Sequence, residues 1–176
     1  MLRTFFSVVG LAPVSELYLS TLVSTLTGVG LRTPSLDYSG GFLSFDETSE
    51  RRLKGDIFCS GCLTMVGERK LAQLLGLLRE TLDLPGHFVQ LGTWRGGVGI
   101  LVRAFYHVYG EPRLVWLCDS YDGLPALFDS EQKFADDFLR VSLDEVQDNF
   151  RTFGLLDNQV RFVTGFFNES LPGSQR

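Results

Sequence analysis

Between His87 and Gly110 the sequence reads HFVQLGTWRGGVGILVRAFYHVYG, with Gly92, Gly96 and Gly97 set around Trp94 and Arg95. Glycines at the end of a short apolar run let a ligand approach the backbone with no Cβ in the way. The helix that such a turn opens offers unpaired N–H groups and partial positive charge to an anionic group. An acid, Asp119, closes the next apolar run 22 residues after Gly97. A carboxylate there can accept the hydroxyls of a ribose. Together these features point to a nucleoside ligand. The spacing Gly92-x-x-x-Gly96-Gly97 departs from the G-x-G-x-x-G of dinucleotide enzymes. The bulk of Trp94 beside Arg95 suits a ligand with a short amino-acid arm better than a pyrophosphate alone. The same residues have structural readings: close helix–strand packing for the glycines, and an N-cap or Asx turn for Asp119 in DSYDG.

Other reactive residues are placed less well. His87 starts the strand whose far end carries the turn, roughly 16 Å away at ~3.3 Å per residue. His107 lies well along the following helix, roughly 15 Å from its N-terminus. Both read as structural or surface histidines. Asp122, Asp129, Glu131, Asp136 and Asp137 crowd the segment after Asp119 and read chiefly as solvated charges. Cys59 and Cys62 have the C-x-x-C spacing of redox and zinc sites. They stand in a polar, glycine-containing loop ahead of a helix, and Cys118, His87 and His107 provide no second tight pair, so the spacing reads as incidental. Three cysteines, an odd number, suit a reducing compartment, and a cytoplasmic location is expected.

These residues need a scaffold. The chain has 176 residues, 44% of them hydrophobic, enough for one domain with a real core. A net charge of -5 argues against nucleic acid as a partner, because phosphate binding needs a basic face. No apolar run reaches the roughly 18 residues that suggest a membrane span. The opening MLRTFFSVVGLAPV has some likeness to a signal or transit segment but reads as a helix packed on the domain. Val14, Leu17, Leu19, Leu22, Val23 and Leu26 have helical spacing. Residues 28–63, rich in glycine, read as irregular. ERKLAQLLGLLRETLDLPG is an amphipathic helix with Leu71, Leu74, Leu75, Leu78 and Leu82 on one face, ended by Pro85-Gly86. Then strand and helix patterns alternate: HFVQLG, GGVGILVRAFYHVYG, RLVWLCDS, SLDEVQDNFRTFG and QVRFVTGF. In the second helix Ser142 is the N-cap, Glu145 its capping-box partner, and Gly154 follows the end. The alternation is that of a parallel, doubly wound sheet with right-handed crossovers. Its ligand site belongs at the carboxyl ends of the strands, where the glycine turn and Asp119 both fall.

Four segments now carry a resemblance. TMVGERKLAQL, VQLGTWRGG, LCDSYDGLP and VSLDEVQDNFRTFGLLDNQVRFVTGFFNESLP, in this order, resemble the macrocin O-methyltransferase family. These are class I S-adenosylmethionine-dependent enzymes that methylate sugar hydroxyls of macrolides and related natural products. The resemblance covers most of residues 46–172. It implies an α/β, Rossmann-like class I methyltransferase domain over residues 64–176, with a parallel sheet and helices on both faces, behind an N-terminal helical and loop cap over residues 1–63. It implies S-adenosyl-L-methionine as cofactor and a small hydroxylated acceptor as partner, with no nucleic acid and no membrane.

By position, the resemblance has Thr64 and Met65 close over the methionine part. Gln90, Gly92, Thr93, Trp94, Arg95 and Gly96 would form the turn beneath it. Asp119 and Ser120 would hold the ribose, Tyr121 would lie near the adenine, and Ser142 with Gly165 and Phe166 would border the adenine pocket. The family usually has Glu where Gln90 stands, and an aromatic-proline pair and an alanine where this chain has DIFCSGCL. Family members continue with a fourth strand and acidic residues that hold a divalent metal, Mg2+, and orient the acceptor. This chain stops at Arg176, so the sheet is expected to be truncated after its third strand, without metal ligands and with its catalytic residues unassigned. The leading expectation is an O-methyltransferase, inactive as this short chain, that forms a homo-oligomer or joins a separate C-terminal half. The alternative is a non-catalytic half-domain binding the cofactor or a partner. A nicotinamide-dependent oxidoreductase ranks third, disfavoured by the glycine spacing.

Overall fold

Leu19, Leu22, Val23 and Leu26 recur at the spacing of one helical face, and they are the buried residues of α1 (Val14–Leu26). In the computed structural model, residues 13–36, 41–124 and 139–171 are described; the extreme N-terminal segment and most of the acidic stretch after Asp122 lie outside them. None of the described helices is long and apolar enough to cross a membrane.

The glycine-rich stretch after α1 is more ordered than its composition implies. It contains two-residue strands β1 (Ser35–Leu36), β2 (Phe42–Leu43) and β3 (Phe58–Cys59), paired antiparallel in the order β2-β1-β3. Between β2 and β3 lies α2 (Phe45–Lys54). Its signals are local: a reciprocal Ser44–Glu47 capping box, acids in the first turn, bases in the last and Gly55 at φ 84° beyond its end. Its buried residues are Thr48 and Arg52, so no apolar stripe announces it. Next, α3 (Glu68–Glu80) buries Leu71, Leu75 and Leu78. It ends ahead of the expected Pro85-Gly86 stop, and residues 81–84 continue as turns.

The larger unit alternates as expected: β4 (Phe88–Leu91), α4 (Gly97–Tyr109), β5 (Val115–Asp119), α5 (Leu143–Thr152), β6 (Val160–Thr164) and a short α6 (Phe167–Ser170). Strands β4, β5 and β6 are parallel and adjacent in that order. The register pairs Leu91 with Cys118 and Asp119 with Thr164, so the strands end side by side. Helix α4 is buried along most of its length, from Ile100 to Tyr106. Phe105, Phe150, Ile100 and Leu117 are among the largest fully buried side chains, each worth ~1.5–3 kcal/mol of burial. Arg103 is 3% exposed and is neutralised by Asp157, whose carboxylate accepts Nε at 3.0 Å, while Gln159 Oε1 accepts a further hydrogen bond at 2.8 Å. That pair pins α4 to the approach of β6. Ser142 caps α5 as expected, its Oγ accepting the Glu145 N–H at 3.2 Å. Among the described residues β4 has one strand neighbour, and its Val89 and Leu91 are 55% and 56% exposed.

Candidate functional site

The turn after β4 closes on itself. The Gly92 N–H donates to the Cys118 carbonyl at 2.9 Å, Gly96 to Thr93 at 3.0 Å and Gly97 to Leu63 at 2.9 Å. The N–H groups of Thr93 and Trp94 both donate to Asp119 Oδ2, at 2.6 and 3.1 Å. Five of the six amides from Gly92 to Gly97 are therefore used within the protein. The expectation of free N–H groups at the start of α4 does not hold at its first residue, because the Leu63 carbonyl already occupies it. A pyrophosphate would find no amide cradle in these five groups.

The glycines divide between the two readings. A Cβ on Gly97 would lie 2.5 Å from the Leu63 carbonyl oxygen, and one on Gly99 would lie 2.6 Å from Leu117 Cδ2. Those glycines allow close packing. Gly92, at φ 84°, has nothing within 4 Å of its would-be Cβ. It faces open space, and that space is a cleft of about 550 Å3.

Six of the expected residues line this cleft: Met65, Gly92, Trp94, Asp119, Ser120 and Phe166. Asp119 does two things there. Its Oδ2 locks the turn, while Oδ1 makes only long contacts, 3.3 Å to the Tyr121 N–H and 3.4 Å to Ser120 Oγ. Ser120 Oγ donates to the Gly123 carbonyl at 2.6 Å and holds the segment after β5. Trp94 takes φ 48°, a backbone state that costs a non-glycine residue energy and recurs at functional sites. Its ring meets Phe58 edge-on at 5.9 Å and lies under the Arg95 guanidinium at 4.6 Å.

The other expected residues are not among those that line the cleft. Arg95 reaches away from it, donating to the Ser60 and Cys62 carbonyls at 3.2 Å each. Gln90 donates through Nε2 to the Gly92 carbonyl at 2.8 Å, and its Oε1 is buried without a partner. Thr64 and Thr93 are buried, and Thr64 Oγ1 accepts the Val66 N–H at 3.0 Å. Gly96 packs against Val146 and Phe150. Tyr121 is 8% exposed, its hydroxyl donates to the Leu117 carbonyl at 3.0 Å, and its ring packs on Phe162. Burial pushes that phenol well above its ordinary range. Ser142 serves as the α5 cap, and Gly165, at φ 125°, donates its N–H to the Asp119 carbonyl at 3.0 Å. His87 sits at the opposite end of β4, where Nδ1 accepts the Leu114 N–H at 3.2 Å.

Sequence reasoning missed Gly123, Leu124, Leu139, Phe167 and Asn168, which complete the lining. Phe167 had a signal, as the second of two aromatics following Gly165 at the end of β6. Leu139 had none, because it sits beyond any periodic element, and Leu124 had only its place in LCDSYDGLP. The resulting pocket has apolar walls and one carboxylate. It suits a flat ring and a hydroxylated sugar better than a polyanion.

The model of the family described as macrocin O-methyltransferase (TylF) matches residues 40–176. The chain is 34% identical over 173 residues to an 8-demethyl-8-(2,3-dimethoxy-alpha-L-rhamnosyl)-tetracenomycin-C 4'-O-methyltransferase of Streptomyces olivaceus, a match covering 90% of this chain and 64% of that protein. It is 33% identical over 171 residues to a demethyldecarbamoylnovobiocin O-methyltransferase of Streptomyces niveus, again covering 90% and 64%. Among solved structures, the O-methyltransferase NovP superposes with a TM-score of 0.79 at 30% identity, covering 92% of this chain and 68% of that one. The chain thus spans somewhat less than two thirds of the length of these curated relatives.

Proposed function

The chain belongs to the macrocin O-methyltransferase (TylF) family, and from that premise we propose that it binds S-adenosylmethionine in the cleft at the end of β4 and serves methyl transfer to a hydroxyl of a small natural product. The observation that carries this reading is the amide accounting of the turn. Gly92 leaves its surface open while the neighbouring N–H groups are spent, which supports a nucleoside with no phosphate in its link rather than a dinucleotide. The fold agrees: a Rossmann-like α/β sheet with the cleft at its carboxyl edge.

The bound cofactor supplies an electrophilic methyl group on a sulfonium. The protein's part is placement. Asp119 and Ser120 offer oxygens to ribose hydroxyls. Met65 and Trp94 wall the methionine side, and Phe166 with Phe167 walls the ring side. Gln90 Oε1, buried and unpartnered, offers an acceptor to the ammonium. Thr64, Thr93, Arg95, Gly96, Tyr121, Ser142 and Gly165 support those groups from behind. The described residues between 13 and 63 would serve as a cap on the domain that starts at 64, tied where the Leu63 N–H donates to the Leu26 carbonyl at 2.9 Å. Mg2+ does not fit the described residues, since none of their Asp, Glu, His and Cys side chains form a group able to hold it.

The reading is tested at Gln90. A charge-assisted contact is worth about 1.5–3 kcal/mol against about 1 for a neutral one. Gln90→Glu should therefore tighten S-adenosylhomocysteine by roughly 2–30-fold and leave methylthioadenosine, which lacks the ammonium, unchanged. Equal effects on both ligands would remove Gln90 from the site. A binding half-domain is the second reading, supported by the open edge of β4 with its exposed Val89 and Leu91.

A further inference from the structure

Behind the cleft lie two thiols that the proposed reaction does not use. Cys59 closes β3, so the C-x-x-C motif does follow a strand, and both Cys59 and Cys62 are 1% exposed. The Cys62 N–H donates to the Cys59 carbonyl at 3.4 Å. A turn closed in this way keeps its end Cα atoms within about 7 Å, near the range a disulfide spans. Cys62 Sγ faces the carbonyls of Cys59 and Thr64, each at 3.0 Å.

A buried cation stands beside them. Arg52 is 4% exposed, donates to the Thr27 carbonyl at 2.9 Å and to the Thr33 carbonyl, and has a buried Nε without a partner. Carbonyls leave its charge unbalanced, and a buried guanidinium is costly unless an anion accompanies it. The Cys59 thiol is the group that can supply one. The Cys62 thiol, the Thr33 hydroxyl and Arg52 bring it down to about 6. Its hydrogen bond to Cys59, together with burial, pushes Cys62 the other way. One thiolate beside one thiol is the pairing that disulfide chemistry uses.

Three bonds join this loop to the turn at the cleft: Arg95 to the Ser60 and Cys62 carbonyls, and the Gly97 N–H to the Leu63 carbonyl. We propose that Cys59 and Cys62 are a reversible disulfide-forming pair whose oxidation loosens these tethers and weakens the cleft. The oxidant is a peroxide. The Cys59 sulfur attacks one peroxide oxygen, the O–O bond breaks, and a sulfenic acid and hydroxide form. The Cys62 sulfur then attacks the Cys59 sulfur, the S–S bond forms, the S–O bond breaks, and hydroxide leaves with the Cys62 proton as water. Two electrons pass from the sulfurs to the peroxide, and a dithiol reductant returns them. Oxidation removes the anion beside Arg52 and the S–H that faces Thr64. The Ser60 and Cys62 carbonyls shift as the loop readjusts. Arg95, stacked on Trp94, carries that shift into the cleft wall. The sheet that holds Cys59 has only two-residue strands, so local opening gives a small oxidant access.

The effect on ligand rests on the cofactor reading; the bond and the loosening do not. The test uses the full chain carrying Trp116→Phe, so that Trp94 is its sole tryptophan, treated with hydrogen peroxide. The expected result is a mass loss of two hydrogens that peptide mapping assigns to Cys59–Cys62. Trp94 emission should shift with it and return on adding dithiothreitol, and S-adenosylhomocysteine should bind about tenfold more weakly to the oxidised chain. Cys62→Ser should stop at a sulfenic acid that dimedone traps, and Cys118→Ser should behave like the parent. Oxidation of Cys59 beyond sulfenic acid with no bridge, or a bridge that leaves Trp94 emission unchanged, overturns the proposal. If S-adenosylhomocysteine binds neither form, the cofactor reading fails while mass and emission still decide this one.

Discussion

Asp119 divides its work between two oxygens. Oδ2 accepts the Thr93 and Trp94 N–H groups, and Oδ1 is left with contacts of 3.3 Å or more. From sequence alone it reads either as a ribose-binding residue or as an N-cap or Asx turn. The geometry argues that ligand and fold fall together. Asp119→Ala should lower the unfolding free energy by ~1.5–3 kcal/mol, the worth of hydrogen bonds to a charged acceptor, and weaken S-adenosylhomocysteine as well. Asp119→Asn keeps an acceptor oxygen and should lose less stability. Chemical denaturation of the three proteins checks this; an Asp119→Ala protein as stable as the parent would show that the turn holds itself. Asp157 gives a second test at this scale. Arg103 holds its carboxyl below the usual aspartate range. The stabilisation is therefore complete above the ordinary aspartate value of about 4 and is lost as pH falls through the lower folded value. Asp157→Asn should cost ~1–3 kcal/mol at neutral pH, a figure reduced for the 37% exposure of Asp157. It should also flatten the acid arm of the stability curve. An acid arm that keeps its slope would assign that slope to other carboxylates.

At the scale of elements, Gly92 and Gly97 make opposite demands. Gly97→Ala drives a methyl into the Leu63 carbonyl and should destabilise by ~1–3 kcal/mol, pulling α4 off the loop that carries Cys62. Gly92→Ala meets no atom within 4 Å but must hold φ 84°, a strain of ~1–2 kcal/mol, and it puts a methyl into the cleft. Its loss of ligand affinity should exceed its loss of stability, and the order should reverse at Gly97. Thermal unfolding and ligand titration on both variants decide it. The sequence made the alternating elements legible because Leu71, Leu75 and Leu78, or Val115 and Leu117, repeat at the periods of a helix and a strand. It hid α2 because Thr48 and Arg52 are what that helix buries. Its Ser44–Glu47 box, the charges at its two ends and Gly55 are the signals that could have revealed it. The split of the site into lining residues and supporting residues was also invisible. Arg95 and Tyr121 stand in the motifs beside Trp94 and Asp119, yet backbone direction turns them toward Cys62 and Leu117.

For the whole molecule the open question is the β4 edge. Unpaired strand edges with apolar neighbours invite another strand, and Val89 and Leu91 lie on this one. Light scattering should accordingly find a dimer, or a complex with a separately supplied segment, and Val89→Lys should shift it toward monomer. A parent chain that is monomeric at high concentration would remove the edge as an interface. Calorimetric titration with S-adenosylhomocysteine and NADH in parallel decides which ligand the cleft takes. The expected result is a single-site isotherm for S-adenosylhomocysteine that weakens in Asp119→Asn, and no heat of binding for NADH. Saturable NADH binding that S-adenosylhomocysteine fails to displace would contradict it.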